Sequence, residues 1–244
     1  MTWIKICGMT NLEDALTAVD AGADAVGFVF YEKSPRCVSV EVAREIVEKL
    51  PEGVEKVGVF VNAGGVEPGE SILHAGLTGW QMYISTPGGT GVGGNMGVDL
   101  GLLPKLTRIL LSLPMNCFGE SEEQIRGLVS SFAAWKKPPK GFPGPDGLLN
   151  TIVLDSGDLR MPGGTGKTFD WKKAVPMAEA MRDGGVKMVV AGGLTAEHVG
   201  EVMEILKPWG VDVVSGVEAS PGKKDPGKVR EFVRAVRDAD RKTS

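Results

Sequence analysis

Residues 3–19 read Trp3-Ile4-Lys5-Ile6-Cys7-Gly8-Met9-Thr10-Asn11-Leu12-Glu13-Asp14-Ala15-Leu16-Thr17-Ala18-Val19, and the change of rhythm inside them decides the fold. Trp3, Ile4 and Ile6 make a short apolar run that predicts a buried strand. Thr10, with Glu13 three residues later, fits a capping box opening a helix that carries Leu12, Ala15, Leu16 and Val19. Cys7 therefore closes a first β-strand and enters a βα turn. In parallel α/β folds that end is the functional one, because side chains there project into the site assembled by the βα loops. The other reading of Cys7 is a small buried hydrophobe, which cysteine often is.

The same alternation runs on. Further strands are predicted at Asp24 to Phe30, Glu55 to Val61, Asn150 to Asp155, Lys187 to Ala191 and Val211 to Ser215. Helical patterns fall at Val40 to Leu50 behind the cap Ser39, and at Asp170 to Arg182, Ala196 to Leu206 and Pro226 to Ala239. Residues 63–147 are less regular. There the pattern predicts a helix near Gly69 to Ala75, a strand at Gly79 to Ile84, a helix at Asp99 to Leu113, a weak strand at Pro114 to Phe118 and a helix at Glu120 to Trp135. Eight strands separated by helices imply a parallel sheet closed into a single (β/α)8 barrel, with loop insertions near 86–98 and 136–147. A single domain over 1–244 suits the length, since such barrels run to about 250 residues.

Hydrophobic residues make up 42% of the chain and charged ones 24%, with a formal net charge of −4. That balance carries no electrostatic pull toward nucleic acid or an anionic membrane. No apolar run approaches the ~20 residues of a membrane span, and the opening residues lack a charged-then-apolar leader, so a cytoplasmic location is expected. Cys7, Cys37 and Cys117 are an odd number without CxxC spacing, which indicates reduced thiols and neither a disulfide framework nor a metal site.

Three features besides Cys7 carry possible chemistry. Asp155 closes the run Thr151-Ile152-Val153-Leu154, where partial desolvation would favour a protonated carboxyl able to act as a general acid. A capping or loop-fixing aspartate is the plainer reading. The loop Pro162 to Thr168 looks like the tail of a nucleotide-binding P-loop, but Met161 stands where that motif needs glycine, so a substrate-covering loop or a plain connection remains. Gly192 and Gly193 follow the seventh strand, and Ser215 and Gly216 the eighth. Two such turns let backbone N–H groups face one anion, the common phosphate site of this barrel. The string Gly89 to Gly94 matches GxGxxG but sits among 35 glycines without the acidic partner of a dinucleotide site. His74 and His198 fall in predicted helices, where a solvated face is expected. General acid and base must then come from Cys, Asp, Glu or Lys.

Taken in order, Lys5 to Thr10, Ala21 to Asp24, Ser34-Pro35-Arg36, Val57 to Asn62, Gly163 to Trp171, Ala191 to Leu194, Val211-Asp212-Val213 and Ser215 to Glu218 resemble the phosphoribosylanthranilate isomerases of tryptophan biosynthesis, over about residues 3–62 and 148–237. The resemblance implies a (β/α)8 barrel and an Amadori rearrangement of N-(5-phosphoribosyl)anthranilate. It implies that Cys7 is the general base and Asp155 the general acid. Arg36 would hold the anthranilate carboxylate, Gly164 and Asp212 would touch substrate, and Gly192, Gly193, Ser215 and Gly216 would hold the phosphate. For that chemistry Asp155 must be protonated when substrate binds, and the pKa of Cys7 must fall below about 8.5. No metal or organic cofactor is needed, the expected partner is a small phosphoribosyl substrate, and association with other enzymes of the pathway is left open. The chain departs from the family at Gln81-Met82-Tyr83-Ile84, where the family reads Gln-Leu-His-Gly, and at Pro114 to Gly119. Two other readings stay open, a related phosphosugar isomerase and a barrel that binds phosphorylated ligands without turnover.

Overall fold

The first strand, β1 (Trp3–Cys7), is buried at all 5 positions, so its sequence reads as one apolar run rather than an alternation. Ile4 and Ile6 pack outward among helix residues, while Trp3 joins Ala25, Val57, Leu110, Val153 and Val189 from strands around the interior. The computed structural model describes residues 1–61, 68–83, 106–115, 127, 129–130, 133, 150–156 and 170–243. Within them β1 is followed by β2 (Ala25–Phe30), β3 (Glu55–Phe60), β4 (Gly79–Tyr83), β5 (Arg108–Pro114), β6 (Thr151–Asp155), β7 (Lys187–Val190) and β8 (Gly210–Val213). All pair in parallel and in chain order, and β8 returns to β1 with Lys5 opposite Asp212. The chain is therefore a closed eight-stranded parallel barrel, as the alternation predicted.

Helices α1 (Leu12–Ala21), α2 (Val40–Val47), α3 (Pro68–Ala75), α4 (Val175–Asp183), α5 (Val199–Leu206) and α6 (Pro226–Thr243) are described, with a 3-10 turn at Trp171–Ala174 before α4. Ser39 caps α2 as expected. The cap of α1 is Asn11 and not Thr10: Asn11 Oδ1 accepts the Asp14 N–H at 2.9 Å. The Thr10 hydroxyl instead donates to the Gly222 carbonyl at 2.6 Å, which ties the β1 turn to a small hairpin after β8. That hairpin, β9 (Glu218–Ser220) with β10 (Lys223–Lys224), has no counterpart in the sequence reading.

The middle of the chain corrects the sequence reading at one point. Arg108–Pro114 is a strand, where a helix over 99–113 and a strand over 114–118 were expected. Ile109, Leu110, Leu111 and Leu113 are apolar on both faces, so no period distinguishes strand from helix, and leucine favours the helix. Pairing decides: Leu110 lies opposite Gln81 of β4 and Thr151 of β6. Most of the expected helix at 120–135 and both expected insertions, 86–98 and 136–147, lie outside the described residues.

Candidate active site

Inward side chains stack in layers up the barrel. Above the apolar layer containing Trp3 lies a polar one in which Lys5 Nζ donates to Asp212 Oδ2 at 2.6 Å and to Gln81 Oε1 at 2.8 Å. Gln81 Nε2 passes the chain on to Ser112 Oγ at 2.9 Å. Lys5 and Asp212 are almost fully buried, and removing one member of such a pair costs about 3–5 kcal/mol because the other charge is left uncompensated. Asp212 Oδ1 is buried with no hydrogen-bond partner among the described residues. An acceptor stranded in this way, on a residue lining a cleft, is ready for a donor from outside the protein.

The next layer, at the carboxyl ends of the strands, holds Cys7, Val29, Val59 and Tyr83. Asp155 ends β6 beside it, and the Tyr83 hydroxyl donates to Asp155 Oδ2 at 2.9 Å. Burial pushes the Cys7 thiol above its ordinary value, and the opposing pull of the Lys5 ammonium does not overcome it. The expectation of a thiol below about 8.5 is thereby corrected. Burial would lower the Lys5 ammonium, but Asp212 and Cys7 hold it above its ordinary range. Burial and the neighbouring Asp155 hold the Tyr83 phenol well above 10.0.

Arg36 reaches the cleft from the segment between β2 and α2. Its Nε and Nη2 donate to Glu218 Oε1 and Oε2 at 2.8 and 2.7 Å, a two-pronged pair. Lys224 Nζ joins Glu218 Oε1 at 3.2 Å, and the Gly222 N–H at 3.1 Å. Burial works to raise the Glu218 carboxyl, but Arg36 and Lys224 outweigh it and hold it below its ordinary value. With Nε and one Nη2 hydrogen committed, the Arg36 Nη1 hydrogens and the second Nη2 hydrogen meet no acceptor among the described residues.

The glycine turns meet. Gly192 has φ +89°, and a β-carbon there would overlap Ser156 Oγ after β6. A β-carbon on Gly216 would overlap the Leu194 carbonyl oxygen, so the turn after β8 rests on the turn after β7. A 3-10 turn begins at Ser215.

Cys7, Arg36, Asp155, Gly192, Gly193, Asp212, Ser215 and Gly216 all line one cleft. Gly164, the rest of the Pro162 to Thr168 loop and the Gly89 to Gly94 string lie outside the described residues. His74 is exposed on α3, as expected. His198 is not on a solvated face: it precedes α5, its ring lies 5.2 Å from that of Trp171, and its Nδ1 is buried. The sequence reading gave no role to Lys5, Gln81, Glu218 or Lys224. A lysine inside an apolar strand was a signal for the first; nothing local marks the last.

The family model described as N-(5'phosphoribosyl)anthranilate (PRA) isomerase matches residues 4–72 and 147–235. The N-(5'-phosphoribosyl)anthranilate isomerase of Chlorobaculum parvum is 39% identical to this chain over 241 residues, covering 99% of this chain and 97% of its own. The phosphoribosyl anthranilate isomerase structure from Thermotoga maritima is similar with a TM-score of 0.69 and 33% identity, over 98% of this chain and 100% of that one. A structure of the isomerase in complex with reduced 1-(o-carboxyphenylamino)-1-deoxyribulose 5-phosphate has a TM-score of 0.66 and 31% identity, over 98% and 100%.

Proposed function

Because this chain belongs to the N-(5'-phosphoribosyl)anthranilate isomerase family, we propose that Cys7 and Asp155 divide the proton transfers of its reaction. The protein is an enzyme of tryptophan biosynthesis. It catalyses the Amadori rearrangement of N-(5-phosphoribosyl)anthranilate to 1-(2-carboxyphenylamino)-1-deoxy-D-ribulose 5-phosphate.

The observation that carries the assignment is that Cys7 and Asp155 stand at the carboxyl ends of β1 and β6 on one cleft, which Asp212, the partner of Lys5, also lines. Asp155 donates a proton to the furanose ring oxygen as its bond to C1 breaks, and the anthranilate nitrogen forms the Schiff base. That iminium acidifies the proton on C2. Cys7 takes it, and the resulting enolamine relaxes to the ketose. With its thiol held high by burial, Cys7 is a base whose active form grows with pH, and the Lys5 ammonium offsets part of that burial cost.

Arg36 binds the anthranilate carboxylate through the donors that Glu218 leaves free. The unpartnered Asp212 Oδ1 accepts from a substrate hydroxyl. Gly192, Gly193, Ser215 and Gly216 take the phosphate, with backbone N–H groups offered from two adjoining turns. Gly164 is assigned to the substrate on resemblance alone. We read residues 1–244 as one domain working in the cytoplasm; among the described residues no helix is long and apolar enough to cross a membrane.

The test is the decay of phosphoribosylanthranilate fluorescence on adding the protein. Cys7→Ala and Asp155→Asn should each lower turnover by ~10²-fold or more, the usual reach of general acid–base catalysis, with the far-UV spectrum unchanged. Near-normal turnover in either variant removes that residue from the mechanism.

A further inference from the structure

A general acid at Asp155 has two oxygens, and only one of them can carry the proton. The Tyr83 hydroxyl donates to Oδ2 at 2.9 Å, with both side chains buried at the mouth of the barrel. A neutral carboxyl group has one oxygen that accepts and one that donates, and a phenol O–H can bond only to an acceptor lone pair. We propose that Tyr83 is the positioning residue for the general acid, donating to Oδ2 so that Oδ1 carries the proton delivered to substrate. This rests on the acid role of Asp155 given above.

The consequence follows from the proton balance. The Oδ1 proton passes to the ring oxygen, which keeps the electron pair of the breaking C1–O bond, while the anthranilate nitrogen supplies the pair for C=N. Asp155 is left as a carboxylate. The Tyr83 bond, neutral before transfer, becomes charge-assisted after it and strengthens. It therefore favours donation in the direction of ring opening.

Tyr83 can play this part at every working pH, because burial and Asp155 keep its phenol protonated. Among the described residues, Cys7 on β1 and Asp212 on β8 are the further charged or titratable groups that act on the Tyr83 phenol, and Asp212 is paired with Lys5. Neither of the two histidines of the chain lines the cleft. Tyr83 is thus a non-titrating donor to Asp155 at the strand position where the resemblance has an imidazole.

The decisive variant is Tyr83→Phe, which keeps the ring and deletes the donor. Its kcat should fall about tenfold or more, with KM changed less than about twofold, since the stronger bond is made only after the proton moves. Loss of the donor also disfavours the carboxylate relative to the acid, so the limb of the pH profile that reports Asp155 should move to higher pH. Tyr83→His restores an N–H donor that titrates between about pH 5 and 8, and should recover part of kcat while adding an inflection in that range. A Tyr83→Phe enzyme with kcat and both limbs unchanged overturns the proposal. So does a slow one whose limbs do not move and which histidine does not rescue. If Asp155→Asn is itself active, the acid assignment falls; if that variant is inactive and Tyr83→Phe matches the parent, only the role of Tyr83 falls.

Discussion

Glu218→Gln separates an arginine held in place from one that merely stands near the cleft. Glu218 is 6% exposed and accepts from Arg36 Nε and Nη2, from Lys224 Nζ and from the Gly222 N–H, at 2.7–3.2 Å. Glutamine keeps the shape but removes the negative charge, leaves two buried cations without their counterion and turns an N–H₂ group toward one of them. Breaking a buried ion pair from one side costs about 3–5 kcal/mol, and with two cations stranded at least the lower figure is expected. At a urea dependence of about 2 kcal/mol/M, a loss of about 3 kcal/mol moves the unfolding midpoint down by about 1.5 M. Binding should suffer separately. Once its two anchoring bonds are gone Arg36 must be ordered by the ligand, so affinity for the reduced product analogue should drop about tenfold while that for inorganic phosphate is kept. The assays are urea titration followed by tryptophan fluorescence, and calorimetric titration with the two ligands. A midpoint within about 0.3 M of the parent together with unchanged analogue affinity refutes the reasoning, because it would mean that Glu218 neither stabilises the hairpin nor orients Arg36.

Two further outcomes test the site and the fold. Ser215→Asp puts an anion where the phosphate is assigned and should raise KM about tenfold or more, abolishing competition by inorganic phosphate, with little change in melting temperature; equal KM values refute the phosphate assignment. Gly216 is the wrong place for that test, since any side chain there strikes the Leu194 carbonyl. The carboxyls of Glu218, Asp14 and Asp240 are held below their ordinary values by Arg36 and Lys224, by donors on Lys224 and Lys223, and by Thr2, in each case against burial. Their stabilisation is complete above 4.5 for Glu218 and 3.8 for the aspartates and is lost as pH falls through the lower folded values, so melting temperature should fall between about pH 5 and 3, and less steeply in Glu218→Gln. A flat profile across that window contradicts the pairing. Cys7 works with the opposite sign, its raised thiol contributing below 9.0 and losing that contribution as pH rises through the folded value.

What local sequence determines here is what depends on a residue and its near neighbours. Trp3 to Val19 could be read because the strand is buried on both faces and the helix on one, and those periods are written into the chain. The place of Cys7 and Asp155 at strand ends, and of the glycines after β7 and β8, follows from the same alternation, so the cleft and its ligand class were legible. Arg108–Pro114 was not, because an all-apolar leucine run has no period and its strand pairing with β4 and β6 spans dozens of residues. Only tertiary structure decided how the candidate groups are tuned. Burial outweighs Lys5 at Cys7, Glu218 takes two hydrogens of Arg36 from 182 positions away, and Tyr83 meets Asp155 across 72. Charge and hydrogen bonding act through distance and desolvation, and neither is encoded in spacing along the chain: the barrel sets both when it closes β8 onto β1 and turns these side chains into one water-poor interior.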